Sequence, residues 1–452
     1  MNEIDKLKVL KEKTLTNEII PIQTRVKTLK KLKSKITRHE KEIMTALKND
    51  LDKPLFEAYT SDYLFTLKEL NYTINNITEY LANKKVRTPL TLFRSRSIIK
   101  KEPYGLVLVL APWNYPFQLT LTPLIAAYAT GNRVAVKASN KSANTTRIIT
   151  KIINETFRED EVIMLETRGD RIIPDVIDEI KFDKIFFTGS TKIGTLIAKA
   201  AAKTLTPTTL ELGGKSPCII AQDANLKIAA RRIISSKYFN AGQTCIAPDY
   251  LLVDEIIEKK LIEELKKTIK EFHPKGEEDI AKIIDDPAYL RLKAYLDKDE
   301  IIVGGKAFDD ELKIEPTLIK PKENAKIMQE EIFGPILPIL TYKTINDAKN
   351  IIRKNPEPLA LYLFTNNKKI KQEILNEKFG GGCINNTMMH IANPNLPFGG
   401  IGKSGMGRYH KDKSFDAFTY EKSILHTKIW PDIKLRYPPY NNNILKYIKR
   451  IL

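Results

Sequence analysis

The sequence predicts an α/β fold of more than one domain, built around a parallel sheet flanked by helices. Three observations carry this. Short β-rich runs recur at residues 106–112 (LVLVLAP), 133–139 (RVAVKAS), 162–165 (VIML) and 184–190 (KIFFTGS), with helical stretches of about 10–20 residues between them. Residues 1–83 alternate Leu and Ile with Lys and Glu at helical spacing, as amphipathic helices packed on a neighbouring core do. At 452 residues, the chain also exceeds what one compact core accommodates.

The remaining segments follow in order. Residues 86–99 (VRTPLTLFRSRSII) are basic and punctuated by proline, which predicts an extended excursion rather than a core helix. TTLELGG at 208–214 and PCIIA at 217–221 begin a second α/β region running to about Gly400. With no internal repeat and no low-complexity linker, the domains are expected to share a close interface.

A hydrophobic fraction of 42% with 29% charged residues is ordinary for a soluble globular protein. No run of about 18 apolar residues predicts a membrane-spanning helix, and the opening MNEIDKLKVLKEK does not read as a secretory signal. Three cysteines, Cys218, Cys245 and Cys383, lie far apart. Their sparse, odd number argues for a reducing, cytoplasmic compartment without a disulfide framework. The five histidines are scattered, so no metal site is expected. The net charge of +19 comes from lysine spread along the whole chain. It reads as background composition, and no nucleic-acid partner is expected.

Four segments stand out chemically. Cys245 sits in NAGQTCIAP (240–248), a polar turn in which a thiol can be reached by substrate; alone, such a cysteine is more often structural. Cys218 reads as a buried strand residue, and Cys383 follows a glycine run; both are expected to be structural. Glu211 emerges from a strand end into ELGGKSP (211–217), placed to activate water once burial raises its pKa, or else simply exposed beside a turn. Asn114, in APWNYPF (111–117), is either an ordinary turn former or an amide donor to an oxyanion. FTGSTKIG (187–194) is compatible with backbone contacts to a pyrophosphate at a helix N-terminus. It lacks the spacing of G-x-G-x-x-G and the ending of a P-loop, so alone it is weak.

Together these segments resemble the aldehyde dehydrogenase family from about residue 1 to residue 440. APWNYP, GNRVAVKAS, FTGSTKIG, LELGGKSP, NAGQTC, EEIFGP (330–335) and LPFGGIGKSGMGRYHKDKSFDAFT (396–419) occur in family order. The short start and RYPPY (436–440) resemble the class 3, or fatty aldehyde dehydrogenase, branch. The resemblance implies a Rossmann-like NAD(P)-binding domain (residues 1–83 and 105–210) and an α/β catalytic domain (211–400). It further implies a small β bridging element (84–104 and 401–430) that makes a homodimer, followed by a tail (431–452). The implied activity is NAD- or NADP-dependent oxidation of a medium- or long-chain aliphatic, or aromatic, aldehyde to its acid through a thioester on the enzyme.

By matching position, Cys245 is the nucleophile, and Asn114 with the Cys245 N–H forms an oxyanion hole. Glu211 is the general base, with Glu331 as the second carboxylate near the reaction path. Lys137 holds the adenosine ribose, while Gly189, Ser190 and Gly194 border the pyrophosphate. Glu331 and Phe333 place the nicotinamide ribose and ring. Tyr115, Met388 and His390 are candidate substrate neighbours. Two departures stand out. Asn140 replaces the usual carboxylate after the third motif residue, which leaves NADP admissible. Lys411 replaces a usual glycine, which reads as surface variation. In NNNILKYIKRIL (441–452), Ile444, Leu445, Ile448, Ile451 and Leu452 share a helical face, with Lys446, Lys449 and Arg450 elsewhere. This face either meets a membrane surface or packs on protein.

Overall fold

The computed structural model describes residues 2–16, 18–297 and 299–432, and beyond them 437–439, Leu445 and Lys449. The amphipathic reading of residues 441–452 therefore falls outside the described residues, apart from Leu445 and Lys449. The chain forms two units, one of Met1–Tyr80 with Pro103–Thr419 and one of Leu81–Glu102 with Tyr420–Leu452.

The smaller unit contains a three-stranded sheet. β1 (Lys84–Val86) pairs antiparallel with β2 (Ser95–Pro103), which adjoins β18 (Thr419–Thr427). The excursion predicted at 86–99 is thus a strand, a short helical turn and a second strand. β18 is an edge strand, and every residue after Thr419 in it is exposed.

The larger unit opens with helices α1 (Glu3–Leu15), α2 (Ile22–Arg38), α3 (Glu40–Leu51) and α4 (Leu55–Glu57). A π-helical turn leads from α4 into α5 (Leu64–Tyr80). Each long helix buries one leucine and isoleucine stripe: Leu29, Leu32 and Ile36 of α2 are fully buried, while most of its lysines are exposed.

A six-stranded sheet follows: β3 (Leu106–Leu110), β4 (Arg133–Lys137), β5 (Val162–Met164), β6 (Lys184–Thr188), β7 (Thr208–Glu211) and β17 (Gly405–Met406). Their spatial order is β17-β7-β6-β3-β4-β5, parallel except for β17. All residues of β3 and β4 are buried. That is why these strands read as continuous apolar runs rather than alternating ones. Helices α6 (Pro116–Ala129), α7 (Ala143–Thr156) and α8 (Thr191–Ala202) connect the strands, and α6 is buried along its whole length.

Two boundaries differ from the sequence reading. TTLE does not begin the second region; it is β7, parallel to β6 with Thr188 opposite Glu211. The chain leaving α8 returns to the sheet it came from, as a parallel crossover does. Residues 401–419 likewise belong to the larger unit rather than the bridging element, because Gly405 and Met406 pair with Glu211 and Leu210.

The second sheet contains β8 (Pro217–Ile220), β9 (Tyr250–Asp254), β10 (Glu300–Val303), β13 (Thr317–Lys320), β14 (Ile336–Tyr342), β15 (Ala360–Phe364) and β16 (Gly381–Ile384). Their spatial order is β10-β13-β14-β9-β8-β15-β16; β11 (Ala307–Phe308) and β12 (Lys313–Ile314) form a separate ribbon. Helix α9 (Leu226–Tyr238) joins β8 to the loop that carries Cys245. Among the described residues, no helix is long and apolar enough to cross a membrane.

Candidate active site

In the first sheet the chain passes from β3 outward to β4 and β5, then crosses back to β6 and β7. Such a reversal opens a crevice beyond the carboxyl ends of the strands. Asn114 follows β3, Lys137 ends β4, Gly189 follows β6 and Glu211 ends β7. Only residues 212–216 separate β7 from β8, so the second sheet starts where the first one stops. Its loops before β9 and β14 supply Cys245, Glu331 and Phe333.

The loop ahead of Cys245 is tightly wound. Asn240, Ala241 and Gly242 all adopt positive φ, at 53°, 52° and 71°. A side chain at Gly242 would collide with the Gly334 carbonyl oxygen. Gln243 ties the loop down. Its Nε2 donates to the Asn240 and Lys282 carbonyls at 3.1 and 2.9 Å, and its Oε1 accepts from the Ile284 N–H at 3.1 Å.

Asn114 reaches across to this loop, donating from Nδ2 to the Gln243 carbonyl at 3.0 Å. Its own carbonyl accepts from Asn240 Nδ2 at 3.0 Å and from Lys53 Nζ at 3.1 Å. Lys53 also pairs with Asp62 at 2.8 Å, and both side chains are completely buried. Beside them, the Tyr115 hydroxyl lies 2.5 Å from Thr244 Oγ1. Neither Lys53, Asp62 nor Gln243 was singled out by the sequence. A lysine and an aspartate in amphipathic helices read as solvated, and nothing local marks them as a buried pair.

Three titratable groups lie here, and two of them act on the third. Glu211 is 2% exposed, and among the described residues neither carboxylate oxygen has a hydrogen-bond partner. Burial pushes its carboxyl well above the ordinary range, with Arg408 opposing. Glu331 is pushed up to about 8 by burial and by Asp249, against the Gly214 N–H. The Cys245 thiol is raised first by burial and then by the Glu331 and Glu211 carboxylates. The N–H groups of Cys245 and Ile246 work the other way. A like charge or a dry surrounding penalises each ionised form, so the three cannot all be charged together.

The crevice also fits a dinucleotide. Ser190 caps α8 by accepting from the Ile193 N–H at 3.4 Å, leaving a helix N-terminus facing the crevice, as an anion requires. A Cβ at Gly189 would meet the Phe187 ring at 2.6 Å, and one at Gly194 would meet Leu212 at 2.5 Å. These glycines therefore serve close packing of the helix on its strands. Ile193 and Leu196, one helical turn apart on α8, expose apolar surface suited to a flat heterocycle. Lys137 Nζ donates to Asn140 Oδ1 at 2.9 Å and to the Ala138 carbonyl. Phe333, at φ 52°, sets its ring edge-on to Trp113 at 5.4 Å.

Residues 11–424 match the model of the aldehyde dehydrogenase family. The chain belongs to that family. The 4,4'-diaponeurosporen-aldehyde dehydrogenase of Staphylococcus aureus is 45% identical over 441 residues, covering 96% of this chain and 95% of that one. Aldehyde dehydrogenase family 3 member A2 of Rattus norvegicus is 37% identical over 96% of this chain and 90% of its own. The solved substrate-bound S. aureus AldH superposes with a TM-score of 0.96 at 43% identity, covering both chains fully. The fold class and the class 3 likeness read from the sequence therefore stand.

In this aldehyde dehydrogenase the other candidates divide. Tyr115 adjoins the Cys245 loop through Thr244. His390 stacks on Phe398 at 6.1 Å between ring centroids, with Cys383 Sγ 3.6 Å from its Nδ1. Met388 is a positive-φ residue at the start of the same short helix. Cys218 is fully buried in β8, whereas Cys383 is partly exposed. Lys411 is more than surface variation: its φ is 46°, beside His410 at 81°, in a region that favours glycine. Its ammonium lies over the Tyr72 ring at 4.6 Å and donates to Asn395 Oδ1 at 3.1 Å. Among the described residues, no group of three or more metal-ligating side chains occurs.

Lys53 provides the first test. Lys53→Met strands the Asp62 carboxylate in a dry core and should cost about 3–5 kcal/mol of stability. Adding Asp62→Leu should recover most of that loss, because a matched apolar pair carries no buried charge. Denaturant titrations of the parent, single and double variants decide it. A single variant within about 1 kcal/mol of the parent would contradict the pairing.

Proposed function

We propose that this aldehyde dehydrogenase oxidises a medium- or long-chain aliphatic, or an aromatic, aldehyde to the acid through a thioester on Cys245, using NAD or NADP. The observation that carries the reading is the meeting of a half-buried thiol, a tethered amide and an unpartnered buried carboxylate at one crevice.

Cys245 releases its proton to solvent, and the thiolate adds to the aldehyde carbon while the C=O π pair moves onto oxygen, giving a thiohemiacetal oxyanion. The Asn114 amide has two N–H bonds, of which one goes to Gln243; the other, with the Cys245 N–H, receives the oxyanion. When bound, the dinucleotide's nicotinamide accepts the hydride that leaves this carbon. Lys137 with Asn140 would hold the adenosine ribose; Gly189, Ser190 and Gly194 would border the pyrophosphate; and Glu331 and Phe333 would position the nicotinamide end. Water then cleaves the thioester, and Glu211 takes its proton. Glu211 suits that role better than Glu331: its oxygens have no partner, whereas Glu331 accepts from the Gly214 N–H. A base in this setting is active only above its raised pKa, so hydrolysis should speed up as pH rises through that value.

The substrate class draws on the relatives, one of which is named for a carotenoid aldehyde. The compartment proposed is the cytoplasm, and the assembly proposed is a homodimer paired along β18, which lies at one end of its three-stranded sheet among the described residues.

Cys245→Ala should reduce kcat to below a few per cent while dinucleotide binding survives, as steady-state rates and a binding titration would reveal. Substantial residual turnover would exclude Cys245 as nucleophile. Glu211→Gln should give a rapid burst of reduced nicotinamide and then a slow steady rate, with the parent's rise in hydrolysis with pH abolished. Parent-like turnover would shift the base to Glu331. Light scattering at micromolar concentration should give about 103 kDa, twice the chain mass of 51.6 kDa; a value near the single-chain mass would refute the dimer.

A further inference from the structure

Position 140 carries a neutral amide, and its Oδ1 already accepts from Lys137. A carboxylate nonetheless stands at the same place in the fold, brought from the start of the chain. Helix α1 is fixed by Leu7 and Leu10, which are buried in the core with Leu106, Leu108, Ala135 and Leu165. Its first residue, Glu3, accepts from the Glu166 N–H and the Thr167 hydroxyl in the loop that follows β5. Glu3, Lys137, Asn140, Leu165 and Glu166 line one cavity of about 690 Å³. The Glu3 charge acts on the Lys137 ammonium and opposes the effect of its burial.

We propose that Glu3 supplies the carboxylate that position 140 lacks and makes the adenosine-ribose site prefer NAD to NADP. The proposal rests on the reading of Lys137 and Asn140 as ribose contacts. An ionised carboxylate has about four lone-pair directions, and two protein donors leave room for a ribose hydroxyl. A 2′-phosphate brings further negative charge and no donor, so it meets Glu3 as a like charge in a partly dry cavity. Lys6 also lines the cavity, but its ammonium is paired with Glu159. The anchoring of α1 gives the carboxylate a fixed position, which discrimination between two such similar ligands requires.

The test is equilibrium binding of NAD and NADP to the full-length enzyme without aldehyde, by calorimetry or protein fluorescence. The parent should bind NAD at least about tenfold more tightly than NADP. Glu3→Gln should reduce that ratio about tenfold or more, mainly by tightening NADP, while Glu3→Asp keeps the preference. Glu166→Gln, at the other carboxylate beside the loop, should leave the ratio unchanged. Lys137→Met should weaken both dinucleotides. If Lys137→Met leaves both affinities intact, the ribose reading fails. If it weakens both but Glu3→Gln leaves the ratio unchanged, Glu3 is not the guard and the ribose reading stands. A parent without NAD preference, or a ratio that moves with Glu166→Gln instead, also overturns the proposal. Melting curves of each variant with and without dinucleotide give the same comparison by stabilisation, and separate lost affinity from lost folding.

Discussion

Two hydrogen bonds at Asn114, just beyond the carboxyl end of β3, hold the two halves of the site in register: its amide donates to the Gln243 carbonyl two residues before Cys245, and its carbonyl accepts from Asn240 Nδ2. β3 belongs to one sheet and the cysteine loop to the approach of the other. An error of an ångström between the two sheets would move the amide off the thiol. The surroundings of Asn114 are built against that error. Lys53 and Asn240 grip its carbonyl, and Asp62 holds Lys53 while accepting from the Gln118 N–H at 3.3 Å. Polar groups in so dry a place are costly when left unpaired, which holds Lys53, Asp62 and Asn114 to these partners even though Asn240 Oδ1 has none among the described residues.

The same dryness governs the chemistry. In water a thiol and two carboxylates would ionise nearly independently. Here burial raises the cost of ionising all three, and the two carboxylates raise it further for the thiol. The resting site is therefore weakly charged, and a group becomes reactive only as its neighbours are neutral or occupied. Glu211 lacks any donor that would stabilise its anion, which leaves it basic. Comparable isolation of an ordinary structural carboxylate would only destabilise the fold.

Much of this architecture is legible in the residues because the strands that build the crevice are buried on both faces. LVLVL and RVAVK cannot be confused with half-exposed strands, and the site residues lie just beyond their ends. The candidate site residues Cys245, Glu211 and Asn114 stand out for the same reason: polar residues interrupt apolar runs. What is illegible depends on distant partners. TTLE looks like the first strand of the second region because sequence order hides the return to β6. Lys53 and Asp62 resemble their solvated neighbours, and only the packing of α5 and α6 around them makes them a buried pair. Glu3 is one more acidic residue at a helix start until the fold places it beside Lys137. Lys411 shows the converse case: its positive φ is a backbone constraint of the kind that favours glycine, and no periodicity exposes it.

Helix α6 imposes a condition on the making of the protein. All of its residues are buried, and Gln118, Thr120 and Thr122 are the polar side chains that interrupt its otherwise largely apolar surface. α2 and α5 cover part of it, but the short helix Asp412–Ala417 also packs on it, and Asn132 just beyond α6 donates to the Phe418 carbonyl at 3.0 Å. Those residues leave the ribosome roughly 280 positions after α6 does. At about 5–20 residues per second, the nascent chain carries an incompletely covered apolar helix for ~15–60 s. Over that interval the solubility of the chain rests on the cover that α2 and α5 give, not on the stability of the finished fold.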